Sequence, residues 1–130
     1  MDRSCSTTLT NYAAPPGILR FDPATRRVDR LSGAESYRSP KCSADGNLLA
    51  VDFERGRSRF VLRRAGTTSW ENLDVLDAYF LQYPSWRRDG RSFCGLSTRD
   101  GAVMCYSIAD RRLDTLASID LPISSESMLA

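Results

Sequence analysis

The feature that most restricts what this chain can fold into is a pair of interleaved internal repeats. The run Ser39-Pro40-Lys41-Cys42-Ser43-Ala44-Asp45-Gly46-Asn47-Leu48-Leu49-Ala50 aligns with Tyr83-Pro84-Ser85-Trp86-Arg87-Arg88-Asp89-Gly90-Arg91-Ser92-Phe93-Cys94 at a constant offset of 44. Proline and Asp-Gly coincide, as do the apolar pairs Cys42/Trp86, Leu49/Phe93 and Ala50/Cys94. A second element of 14 residues occurs three times, over 18–31, 60–73 and 103–116, at offsets of 42 and 43. A chain that repeats itself at this spacing is built from one supersecondary unit stacked on its own copies, since a single unit cannot bury its apolar face.

Each copy of the second element opens on a short apolar run: Ile18-Leu19, Phe60-Val61-Leu62, and Val103-Met104-Cys105-Tyr106. It crosses a polar turn, Asp22-Pro23-Ala24-Thr25 in the first copy, and closes on an apolar-x-x-Leu ending. That pattern reads as strand, turn, strand. In the first element Asp-Gly separates two short runs, as a tight hairpin requires, because glycine tolerates positive φ. Residues 39–43 and 47–53 are then strands A and B of a unit, and the 14-residue element supplies strands C and D. Four strands in a period near 43 residues match the propeller-blade period of about 40 to 45. The expected fold is all-β, a partial β-propeller of about two and a half four-stranded antiparallel blades. Residues 1–16 form a polar amino-terminal segment, 17–118 hold the repeats (a C–D hairpin over 18–31, blades over 37–73 and 81–116), and 119–130 form a tail. Helical periodicity is confined to 70–80, where one short turn of helix between blades is expected.

The phrases 83–90 and 39–46 resemble the "sPxWSPDGxxIaf" signature of TolB-like propeller repeats, the WD-repeat-like PD40 type. The run Ile18-Leu19-Arg20-Phe21-Asp22-Pro23-Ala24-Thr25, with 28–31 after it, is similar to the "iyrlDlxtgxvxxL" strand pair of the same family. The stretch from Asp22 to Pro40 is similar to propeller regions of large bacterial regulators and kinases. The resemblance covers about 17–118 and implies the fold; propeller repeats serve many unrelated functions, so it implies no single activity. Cys42 stands where the family has Trp, and Ala44 and Arg88 replace its Pro, so the first full blade is expected to pack more loosely at strand A.

Composition narrows the function. The net charge of +2 is small and dispersed, which disfavours nucleic acid as a partner. Lys41 is the single lysine, and arginines spread over turns read as solvated surface. Histidine is absent, which removes Ser/His and Cys/His nucleophile systems and imidazole acid–base chemistry. No phosphate-binding glycine loop, Gly-x-Ser-x-Gly elbow or metal-ligand set appears, so neither an enzyme, a cofactor nor a metal is expected. Residues 1–17 hold no apolar segment, so as written the chain is expected to be cytoplasmic and not membrane-bound; an extracytoplasmic address is open if it belongs to a longer protein.

The cysteines are Cys5, Cys42, Cys94 and Cys105, without zinc or redox spacing. A turn at Arg99-Asp100 places Cys94 and Cys105 opposite each other on one face, a geometry able to form a disulfide. Without an export signal the expectation is two buried thiols acting as small hydrophobes. Trp86 is expected between blades and Trp70 in the core of strand D. Asp45, Asp89 and Asp100 beside or near glycine read as turn residues. Loops joining D to A and B to C emerge on one face, giving Glu35, Arg55, Arg57, Tyr79, Arg99 and Asp100 as candidate partner-binding positions. The function expected is a non-enzymatic propeller segment for protein–protein interaction or sensing within a longer protein. The alternative is a structural unit that self-associates edge to edge to close a ring.

Overall fold

The computed structural model describes Cys5 and residues 8–11, 17–54, 57–77 and 81–118. They form three antiparallel sheets, and the fold is a partial β-propeller. The first sheet contains β1 (Thr8–Asn11), β2 (Gly17–Asp22) and β3 (Arg27–Arg30). The second is β4 (Tyr37–Cys42), β5 (Leu48–Glu54), β6 (Arg57–Arg63) and β7 (Trp70–Asp77). The third is β8 (Leu81–Trp86), β9 (Ser92–Ser97), β10 (Val103–Ser107) and β11 (Arg112–Ala117). Within each sheet the strands are neighbours in chain order, as short hairpins dictate.

Three local expectations change. The polar amino-terminal segment contributes β1, which pairs with β2 from Thr8↔Arg20 to Asn11↔Gly17, so the first sheet has three strands rather than a bare C–D hairpin. Thr8, Leu9 and Thr10 suit a strand whose two faces meet different surroundings. The expected helical turn gives way to β7, with Trp70 opposite Arg63 and Leu73 opposite Phe60; residues 78–80 lie outside the described residues. Strand C of the second sheet begins at Arg57, paired with Glu54, three residues before its apolar run.

The sheets stack through two apolar layers. Leu48, Ala50 and Val61 of the second sheet meet Ile18, Leu31 and Ala34. Leu49, Val51, Phe60, Leu62 and Leu73 meet Leu81, Phe93, Tyr106 and Ile108 of the third. The uninterrupted run Leu48-Leu49-Ala50-Val51 is that of a strand buried on both faces. Polar side chains cross the same boundary: Asn47, 8% exposed, donates through Nδ2 to Gly90 O (3.1 Å) and accepts from Ala65 N (2.9 Å). Arg64 pairs with Glu71 at 2.9 Å and donates to Ile108 O in the neighbouring sheet at 2.9 Å.

The repeat offset of 44 does not carry over into strand register. Both Asp-Gly turns begin alike, with Gly46 N donating to Ser43 O and Gly90 N to Arg87 O. The second-sheet hairpin then closes through Ser43 N to Asn47 O, the third-sheet hairpin one residue later through Arg87 N to Ser92 O. Cys42 consequently faces Leu48, whereas Trp86 faces Phe93. A slip of one residue turns every side chain of a strand to the other face. In the third sheet it turns Phe93 onto the second sheet, beside Tyr106, which keeps the place that the offset of 43 gives it, and Phe93 meets Phe60, Trp86 and Tyr106 at 5.8, 5.3 and 5.5 Å.

The cysteine expectation is corrected. Cys94 and Cys105 are direct cross-strand partners with Cα atoms 4.0 Å apart and are disulfide-bonded; Cys5 and Cys42, 37 residues apart, are bonded as well. Stacking brings the latter pair together, and pairing in the sheet brings the former. The second bond also replaces the looser packing expected at Cys42, since this position is tied to the segment before β1.

Gly95 lies under strand A of the third sheet, where an added Cβ would sit 2.7 Å from Gln82 O and 2.8 Å from Leu81 Cγ. Gly95→Ala is expected to cost about 1–3 kcal/mol through overpacking, read as a lowered urea midpoint at unchanged slope.

Candidate functional site

The site is built from the two strands that carry proline. Pro40 and Pro84 have no N–H to give a ladder, which suits β4 and β8 to the edges of their sheets. In both strands the register shifts around the proline, between Arg38 and Lys41 and between Gln82 and Ser85. The residue before it is left-handed: Ser39 at φ 56° and Tyr83 at φ 55°. Such a conformation is uncommon outside glycine and strained for an aromatic residue, yet it recurs at the same place in both repeats. Ser39 N is secured by Thr10 Oγ1 at 2.9 Å, so β1 supports the bulge of β4.

A groove runs between these two edge strands. One part is a cavity of about 480 Å³ floored by Leu49, Val51, Phe60 and Leu81, with Ser39, Lys41, Gln82, Tyr83 and Pro84 around it. It shares Lys41, Tyr83 and Pro84 with a shallower hollow of about 700 Å³ bordered by 40–44 and 83–86. Tyr83 is 82% exposed, and Trp86, half-buried between the sheets, donates Nε1–H to Lys41 O at 2.8 Å. The buried Ser58, which also lines the cavity, has a hydroxyl with no hydrogen-bond partner. An apolar floor, an exposed aromatic ring, one cation and spare hydroxyl groups suit the uptake of an apolar side chain.

The loop positions expected to bind a partner lie elsewhere. Glu35 is exposed in the connection between the first and second sheets; Arg99 and Asp100 are exposed in the hairpin joining β9 to β10. Asp100 accepts from Ala102 N at 3.2 Å, and the Ser97 hydroxyl and that N–H hold its carboxyl below the usual carboxylate range, which is turn chemistry. Arg57 is the first residue of β6 rather than a loop residue. Arg55 and Tyr79 lie outside the described residues. Trp70 packs edge-on against Tyr37 at 4.9 Å, half-buried, at the first apolar layer. The groove was missed because Ser39-Pro40 and Tyr83-Pro84 read as ordinary repeat positions. Proline inside a strand was the available signal for an edge with a bulge.

The stacked sheets define the class: a segment of a β-propeller. No family model matches the chain, and no curated protein is a significant match. Among solved structures it is similar to TolB from Acinetobacter baumannii, at 20% identity and TM-score 0.63 over 87% of this chain and 31% of that one. It is also similar to the Pyrococcus horikoshii acylaminoacyl peptidase, at 10% identity and TM-score 0.53 over 93% of this chain and 27% of that one. The tricorn protease follows at 11% and 0.52, over 83% of this chain and 10% of that one. At these identities the likeness is one of fold, and the chain spans about a third or less of each structure's length. Among the described residues no group of three His, Cys, Asp or Glu side chains could hold a metal ion, and no helix is long and apolar enough to cross a membrane.

Proposed function

We propose that this chain is a non-enzymatic propeller segment of a longer protein, working outside the cytoplasm, that binds another protein by taking an extended stretch of it into the groove between β4 and β8. The observation that carries this reading is Tyr83: a tyrosine 82% exposed, held at φ 55° beside an apolar cavity. Strain of that kind persists where the surroundings impose it, and exposed tyrosine beside a pocket is the residue type that dominates binding energies. The edge strands β4 and β8 also offer backbone groups to an extended peptide. The absence of histidine and the tying of all four cysteines into disulfides support a role in binding rather than thiol or imidazole chemistry. The same two disulfides support an oxidising compartment.

The test is selection of peptides from a displayed random library on the purified chain, followed by affinity measurements. Tyr83→Ala is expected to weaken the selected peptides by tenfold or more, about 1.4 kcal/mol, while Glu35→Ala and Arg99→Ala leave them unchanged. Loss through Glu35 or Arg99 with Tyr83→Ala neutral would move the site to the loops and overturn the groove.

A further inference from the structure

The groove lies between two sheets that both belong to the stack. A further blade would lie on the outer face of the first or the third sheet and leave the groove open. Its walls are not uniformly apolar. Leu49 and Val51 of β5, Phe60 of β6 and Leu81 of β8 make the floor, and Ser58 of β6 interrupts it. Ser58 is 5% exposed, and its hydroxyl is shut off from open water without a hydrogen-bond partner. Most buried hydroxyl groups in folded proteins have a partner, because an unpaired one loses its hydration without return. The apolar floor offers Ser58 none.

The topology limits what can complete it. β5 separates β6 from the edge strand β4, so Ser58 is at the deep end of the cavity, while Lys41, Tyr83 and Pro84 stand where it opens into the shallower hollow. Only a long side chain crosses from one to the other. It must be apolar along its length to lie on Leu49, Val51 and Phe60, and polar at its tip to pair with the hydroxyl. A charged tip would leave water at a place where the floor holds no counter-charge, Lys41 being at the mouth. Tyrosine meets these conditions: an aromatic body with a terminal hydroxyl that donates and accepts, as the Ser58 hydroxyl also does.

We propose that the groove between β4 and β8 is selective for tyrosine, taking the phenol of a partner's extended segment between the sheets with its hydroxyl on Ser58 Oγ. This rests on the reading of the groove as a peptide site and adds what distinguishes one peptide from another. A wholly apolar pocket discriminates weakly between side chains of one shape, whereas a site with a polar group to satisfy rejects the analogue that lacks the matching group. Phenylalanine fits the same floor and leaves Ser58 unpaired.

The test uses two displayed peptide libraries on the purified, oxidised chain, alike except that the central residue is fixed as tyrosine in one and phenylalanine in the other. Binders are expected from the tyrosine library, and changing that tyrosine to phenylalanine is expected to weaken them about tenfold. With Ser58→Ala the difference is expected to shrink below about twofold, a coupling that a general loss of fold does not produce. Ser58→Ala removes a hydroxyl that pairs with nothing in the chain, so the circular dichroism and the urea midpoint are expected to stay the same. If the variant is unstable, the tyrosine-to-phenylalanine comparison on the unsubstituted chain still decides. Binders that need Tyr83 but accept phenylalanine equally, or whose preference for tyrosine survives Ser58→Ala, would overturn the selectivity and leave the groove in place. Binders insensitive to Tyr83→Ala, or none from either library, would overturn the groove and the selectivity with it.

Discussion

Reducing both disulfides is expected to remove a large share of this protein's stability, with most of the loss traceable to Cys5–Cys42. That bond joins residues 37 apart, and in the chain-entropy model closing such a loop in the unfolded state is worth about 4 kcal/mol. Cys94–Cys105, with a separation of 11, is worth about 3 kcal/mol on the same argument. Against the roughly 5–15 kcal/mol typical of a domain, the two together decide whether an open stack stays folded. Cys5–Cys42 also has a positional effect: it ties the segment before β1 to the end of β4, and β1 holds the bulge at Ser39 through Thr10. Urea melts of Cys42→Ser and Cys105→Ser, each with and without reductant, separate the contributions. The expected order is a larger loss for Cys42→Ser; equal melts with and without reductant in the unsubstituted chain would mean that the bonds contribute nothing.

Phe93→Ala is expected to destabilise the fold by about 3–5 kcal/mol, the range for truncating a fully buried aromatic side chain. Phe93 is 0% exposed and meets three aromatic rings, from β6, β8 and β10, so no single neighbour can move to fill the space. The substitution acts on the layer between the second and third sheets, which also floors the groove. Phe93→Leu keeps most of the volume and is expected to cost less than half as much, by the same urea measurement. A loss below about 1 kcal/mol for Phe93→Ala would show that Phe93 does not sit in this layer, and that strand B of the third sheet follows the repeat offset instead.

That alternative register is the one the repeat alignment suggests, and it marks where sequence reading stops. The hairpins were legible because Asp45-Gly46 and Asp89-Gly90 supply the turn and short apolar runs flank them. The double burial of β5 was legible in Leu48-Leu49-Ala50-Val51. β1 was not, since Thr8-Leu9-Thr10 has little apolar content and earns its place only by pairing with β2 and packing on β4. The groove was half legible: proline at 40 and 84 identified the strands, but the left-handed backbone before each proline depends on the bulge. The state of the cysteines was not legible, because the spacing of Cys94 and Cys105 fits a cross-strand disulfide and a pair of buried thiols equally.

The order of strands, their antiparallel pairing within each blade and the blade period were determined by the sequence itself, because hairpin turns and apolar runs are local and the spacing of the repeats leaves room for nothing else. The direction in which each strand's side chains point was decided by the tertiary structure. An alternating pattern looks the same after a slip of one residue, and only the hydrogen bond that closes the hairpin, at Asn47 in one copy and Ser92 in the other, selects the face. From that choice follow Phe93 facing the second sheet and the Cys94–Cys105 disulfide on the opposite face. The Cys5–Cys42 bond and the groove belong to the same category, since they join residues of different sheets or segments that meet only once the sheets are stacked.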